Sequence, residues 1–107
     1  MYRVLALLSK RQSLSFEEFA DHYENRHVPL VLGLPVRPDA YVRHYVKPGR
    51  AAESAGCDVV SQLDFQDRDA YKAWLSVMFA PDSGIVEDED RFLDRSRTRS
   101  FPVQTES

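Results

Sequence analysis

Leu14-Ser15-Phe16-Glu17-Glu18-Phe19, continued by Ala20-Asp21-His22-Tyr23-Glu24-Asn25-Arg26-His27-Val28-Pro29, is the stretch on which the fold turns. Ser15 can accept a hydrogen bond from the Glu18 amide while the Glu18 carboxylate reaches back to Ser15, and Leu14 can close over Phe19, so a helix begins at Ser15. Phe16, Phe19, Ala20, Tyr23 and His27 then share one face, with Glu17, Glu18, Asp21 and Glu24 directed outward. Pro29 lacks an amide proton and disfavours helical geometry at Val28, which places the expected helix end near His27.

Before this helix, residues 2–9 form a short apolar run closed by Lys10 and Arg11, long enough for a buried strand and too short for a helix. After it, residues 30–38 read as a connection broken by Gly33, Pro35 and Pro38. Residues 41–46 alternate as a second strand, and residues 47–56, with Pro48 and Gly49, read as an exposed loop. Residues 57–65 form a third strand with Val59, Leu63 and Phe65 on one side and Val60, Gln62 and Asp64 on the other. Asp67 is the expected N-cap of a second helix whose stripe, Ala70, Tyr71, Trp74, Leu75, Met78 and Phe79, is halted by Pro81. Residues 84–95 leave two readings open, a loop or a loop with one helical turn near residues 90–93. Residues 98–104 form a fourth strand, which Pro102 assigns to an edge or to a subunit-crossing position.

The order β-α-β-β-α-β is that of an α+β, ferredoxin-like domain: a four-stranded antiparallel sheet with two helices on one face, here expected to occupy residues 1–107. The opposite face keeps apolar side chains from strands 1 and 3, and no further element of the chain is left to cover them. A second copy packing sheet against sheet resolves this, so a homodimer, a dimeric α+β barrel, is expected.

The 107 residues carry a net charge of -3, which supplies no field to gather phosphate backbones, and nucleic acid is not an expected partner. Arg91, Arg95, Arg97 and Arg99 adjoin the acidic run Glu87, Asp88, Glu89 and Asp90, and the whole reads as a solvated charged surface. Membrane association is not expected either, because the apolar runs fall far short of the ~20 residues of a spanning helix. Cys57 is the single cysteine, and Arg3 interrupts the N-terminal apolar run where a secretion signal would be uninterrupted, so a reducing cytoplasm is the expected compartment. Metal binding is disfavoured: His22 and His27, five apart, stand about 140° round an ideal helix from each other. No glycine-rich phosphate loop and no Gly-x-Ser-x-Gly elbow occurs, and Cys57 has no adjacent base to make it a nucleophile. No nucleotide cofactor is expected.

Ser15-Phe16-Glu17-Glu18-Phe19, His22-Tyr23-Glu24-Asn25-Arg26-His27-Val28-Pro29-Leu30-Val31, Tyr41-Val42-Arg43-His44-Tyr45-Val46 and Asp88-Glu89-Asp90-Arg91-Phe92-Leu93-Asp94 together resemble the EthD-like family of the dimeric α+β barrel superfamily, along essentially the whole chain. Similar proteins include muconolactone isomerases, dehydratases and decarboxylases of aromatic polyketide pathways, and an accessory protein of ether degradation. The wider superfamily adds polyketide cyclases and cofactor-free monooxygenases. The resemblance therefore implies a pocket for a flat, oxygenated carbon skeleton, worked without metal or organic cofactor, and His27 as its catalytic position.

The residues themselves place His27 toward the sheet, one turn after Tyr23. Burial there disfavours the imidazolium and the helix C-terminus favours it, a balance suited to a proton shuttle in a dehydration or ring isomerisation. A capping or merely packed histidine is the alternative. His44 shares a strand face with Val42 and Val46, and Tyr41, Arg43 and Tyr45 share the other. If the first set faces the helices, His44 meets His27 across the cavity; if the second, Tyr41 and Tyr45 line it with hydroxyls. Tyr23, Trp74 and Met78 are the remaining candidate substrate contacts, with Trp74 and Met78 otherwise core, while Arg26 lies about 100° away from His27 toward the surface. The expected function is a cofactor-independent lyase or isomerase on an aromatic or polyketide-like molecule. The alternatives are a cofactor-free monooxygenase and a non-catalytic metabolite-binding dimer whose pocket is filled by its own side chains.

Overall fold

A computed structural model describes residues 1–107. Four strands, β1 (Tyr2–Leu8), β2 (Ala40–Tyr45), β3 (Val59–Phe65) and β4 (Arg99–Val103), form one antiparallel sheet in the order β2-β3-β1-β4. This is the expected α+β, ferredoxin-like arrangement, with β4 at an edge. Val4, Leu8, Val59, Ser61, Leu63 and Phe65 are buried beneath the helices. The register sets Leu5 opposite Gln62 and Phe101, and Leu7 opposite Val60, so these side chains share the other face.

The first helix starts as its sequence dictates: the Glu18 amide donates to Ser15 Oγ at 3.1 Å and the Ser15 amide to Glu18 Oε1 at 2.9 Å. It does not end at His27. After α1 (Phe16–His22) the backbone widens into a π turn, Tyr23–His27, in which the Val28 amide donates to the Tyr23 carbonyl, and then resumes as α2 (Val28–Leu32). Pro29 thereby falls in the first turn of a new α segment, where a missing amide proton removes no bond. The wide turn absorbs the mismatch that an uninterrupted helix would meet.

Two further helices replace expected loops. α3 (Arg50–Ala55) occupies the 47–56 loop: its alanines and Arg-Glu pair favour helix, Gly49 precedes it, and Gly56 ends it in the left-handed region at φ 71°. α4 (Arg68–Met78) begins as expected on Asp67, whose carboxylate accepts from the Ala70 amide at 2.9 Å. α5 (Ile85–Phe92) replaces the open reading of residues 84–95. Its buried stripe is Ile85, Asp88 and Phe92, and because the middle member is charged the apolar period was too sparse to announce a helix.

Two apolar clusters lie between sheet and helices. One joins Val4, Val31, Leu63, Phe65, Trp74, Met78 and Ile85; the other joins Leu8, Phe19, Tyr23, Val28, Val59, Phe92 and Leu93. No helix is long and apolar enough to cross a membrane.

Candidate active site

The π turn decides where the two histidines of the first helix point. On an ideal α-helix residues five apart diverge, as the sequence reading held, but a turn closed by an i to i+5 bond returns them to one side. His27 Nδ1 lies 2.9 Å from Asp88 Oδ2, and His22 Nε2 lies 3.0 Å from Asp88 Oδ1. The expected separation of His22 from His27 is thus corrected: they share one carboxylate, delivered by α5. Phe92, one turn further along α5, seats its ring 4.9 Å from that of His27 and stacks on His22 at 4.8 Å, so the arrangement is walled by aromatic carbon. Arg91 approaches the same carboxylate at 3.4 Å from an exposed position, where solvent screening leaves it little weight.

Burial, opposed by the Asp88 carboxylate, holds the His27 pKa below its ordinary value. Burial pushes Asp88 the other way, but the bonds from His27 and His22 outweigh it and keep the carboxyl below its usual range. At neutral pH the pair is accordingly a neutral imidazole and a carboxylate. Nδ1–H donates to Asp88, and Nε2, which has no hydrogen-bond partner in the chain, carries the lone pair.

A cavity of about 460 Å³ opens between the sheet and the helices, bordered by His27 together with Tyr23, Tyr41, Trp74, Met78 and Glu89. Tyr23, Trp74 and Met78 border the same cavity as His27, and Trp74 and Met78 belong to the core as well as to the cavity wall. His44 does not. It pairs across the sheet with Val60 on the outer face and is exposed, so of the two open readings it is the Tyr41 face that looks toward the helices. Tyr45 lies on that face but outside the cavity, packed edge-on to Phe16 and donating to Glu24 Oε2 at 2.6 Å. Arg26 is exposed and makes no ion pair. Cys57 is buried and free, its thiol pushed up by burial.

The family model for the EthD domain matches residues 11–96. The chain belongs to the EthD family. Two solved structures share its fold. One is an ethyl tert-butyl ether D (EthD) family protein from Bacillus halodurans, at 18% identity, covering 99% of each chain with a TM-score of 0.70. The other is the protein At3g17210 from Arabidopsis thaliana, at 17% identity, covering 100% of this chain and 97% of that one with a TM-score of 0.61. Among curated proteins none matches the sequence.

Asp88, Glu89 and Ser61 of this EthD chain border the histidine or its cavity, and the sequence reading does not single them out: Ser61 is one strand residue among several, and Asp88 and Glu89 read as part of a charged surface run. The signal that separates Asp88 from its neighbours is its place between Ile85 and Phe92 on one helical face, since a carboxylate on an apolar stripe calls for a partner. Glu89, one step round α5, borders the cavity with no hydrogen bond or ion pair, and burial pushes its pKa up. No group of three or more His, Cys, Asp or Glu side chains is placed to hold a metal ion. What the arrangement offers chemically is a proton acceptor at Nε2, a carboxylate that stabilises the ring once protonated, and an apolar slot beside it.

Proposed function

We propose that this EthD-family chain is a cofactor-independent lyase or isomerase, of dehydratase or cyclase type, that acts on a flat aromatic or polyketide-like ketone with His27 as general acid and base. The observation that carries the reading is the buried His27 ring, held through Nδ1 by buried Asp88, on the wall of a mostly apolar cavity of about 460 Å³. That volume lies within the ~300 to 1,000 Å³ of small-molecule sites and weighs against a non-catalytic dimer with a self-filled pocket. In a dehydration, Nε2 takes the proton from the carbon next to the carbonyl, and the electron pair moves into an enolate. The imidazolium, stabilised by Asp88, then gives its proton to the departing hydroxyl as the C–O bond breaks, releasing water and leaving an alkene. An isomerisation returns the same proton to another carbon.

The outer face of the sheet, with Val42 and Phe101 exposed, fits a second copy of the chain, and the working unit on this reading is a homodimer. A free buried cysteine suits a reducing, cytoplasmic setting.

The test uses 3-hydroxy-1-tetralone, which yields fluorescent 1-naphthol on loss of water. The wild-type protein should accelerate that loss, and His27→Gln, folded by circular dichroism, should lower turnover by at least the ~100-fold of a lost general acid/base. A wild-type rate equal to that of buffer, or a His27→Gln rate equal to wild type, would remove the proposal.

A further inference from the structure

Three buried hydroxyls stand in an open row at the floor of the cavity. Tyr23 Oη lies 2.6 Å from Tyr41 Oη and 2.6 Å from Ser61 Oγ. All three residues border the cavity together with His27, and the ring of Tyr23 is 5.7 Å from that of His27. Each hydroxyl brings one proton to donate. Two contacts in the row accommodate two of those protons, whichever way each bond runs, and the third is left over.

No acceptor in the chain takes that third proton, because none of the three oxygens makes another hydrogen bond. The nearby charged groups are engaged elsewhere. Arg43 donates to the Tyr41 backbone carbonyl at 2.6 Å and to Glu24, and Glu24 accepts from Arg43 and Tyr45. Nor does the row dispose of a proton by ionising, since burial pushes Tyr23 up to about 12 and Tyr41 well above its ordinary value. A buried donor without an acceptor keeps an uncompensated desolvation penalty, which any oxygen that enters the cavity to accept the proton removes.

We infer that the Tyr41–Tyr23–Ser61 row is a subsite for an acceptor oxygen of the ligand, the carbonyl oxygen that becomes an enolate oxygen when His27 removes the neighbouring proton. The ligand class rests on the function proposed above; the unmatched proton does not. The subsite orients a flat ketone with its oxygen on the sheet floor and the adjacent carbon toward His27. The row also strengthens its terminal donor as negative charge develops, because each hydroxyl polarises the next.

The probes are 1-tetralone and its deoxygenated counterpart tetralin, titrated by saturation-transfer NMR, which needs no turnover. The wild-type protein should bind the ketone roughly 3- to 10-fold more tightly, the range of one net hydrogen bond. Deleting a single hydroxyl still leaves a free donor, so the decisive variant is Tyr23→Phe/Tyr41→Phe/Ser61→Ala, which removes the whole row with apolar isosteres and should bring the ratio to about one. His27→Gln should keep the wild-type ratio, so a ketone preference retained where turnover proves independent of His27 sinks the general-base reading alone. A wild-type ratio of about one, including failure of the ketone to bind, overturns the subsite without any variant, and so does a preference that survives in the triple variant.

Discussion

His22 and His27 lie five residues apart, and their ring nitrogens sit 3.0 and 2.9 Å from the two oxygens of one carboxylate, that of Asp88. A regular α-helix would set the two rings on different faces. The π turn is therefore the feature that assembles the site, and it carries a cost in backbone bonding that the shared carboxylate and the fit of Pro29 offset. On the proposed reading, function is drawn from a local departure from regular helix, built on a scaffold whose topology says nothing about chemistry.

The division of labour between the two rings can be separated by substitution. Asp88→Asn keeps the shape and removes the charge that orients His27 and stabilises its protonated form. Turnover should fall by roughly 100-fold or more, comparable with loss of the acid/base itself. His22→Ala removes only one of the two bonds to Asp88, and its effect on kcat should stay under about 10-fold, with recovery in His22→Gln, whose amide can still donate to Oδ1. Equal losses in His22→Ala and His27→Gln, measured under the same conditions, would assign the two rings the same role and refute this division.

Acidification should weaken the fold in a defined order. Because burial holds His27 below its ordinary 6.5, the unfolded chain binds the extra proton first, and stability declines as pH falls from about 6.5 through the folded value. Asp88, held below its ordinary 3.8, adds a second loss as pH falls further through its folded value. Glu89 acts in the opposite sense, its raised pKa favouring the fold as pH falls toward 4.5, so the comparison must isolate His27. The melting temperature should be level above pH 7 and begin to drop below 6.5 in wild type, and His27→Gln should lack that upper limb. Identical profiles for the two proteins between pH 7 and 5 would contradict the assignment.

Much of this was legible in the residues. Strand alternation and the Ser15 cap fix the topology, and the stripe through Phe19, Tyr23 and His27 places three inward side chains correctly. What stayed hidden has physical causes. A π turn leaves no periodic signature in five residues. α3 is bracketed by Gly49 and Gly56, so residues that cap a helix are indistinguishable by composition from residues that make a loop. Strand β2 carries aromatic side chains on one face and Val42 and His44 on the other, and only the pairing with β3 settles which looks inward. Asp88 is one of four consecutive acidic residues, and its place between Ile85 and Phe92 marks it as the buried one only once residues 85–92 are seen to be helical.

Phe92 tests how far the aromatic wall supports the whole. It is fully buried and in ring contact with Phe19, Tyr23, His22 and His27. Phe92→Ala should cost about 3–5 kcal/mol in urea unfolding, through lost burial and the cavity left behind. Phe92→Leu should recover more than half of it. A loss under about 1 kcal/mol in Phe92→Ala would mean that the site collapses around the gap and that its geometry is less constrained than its packing implies.

The outer face of the sheet yields the last test. Leu5 sits in a row with Val42, Gln62 and Phe101, and Leu7 in the next row with His44, Val60 and Arg99. Val42 and Phe101 are 40% and 42% exposed in the single chain, a cost that pairing of two such faces relieves. Leu5→Arg places a charge at the centre of that face, where a second copy would bring its own Arg against it, while the helix-side core is untouched because the side chain points away from it. Sedimentation should show a dimer for wild type and for Leu5→Met, and a monomer for Leu5→Arg with an unchanged far-ultraviolet spectrum. A monomeric wild type, or a Leu5→Arg protein that still sediments as a dimer, would show that this face is not where two copies meet.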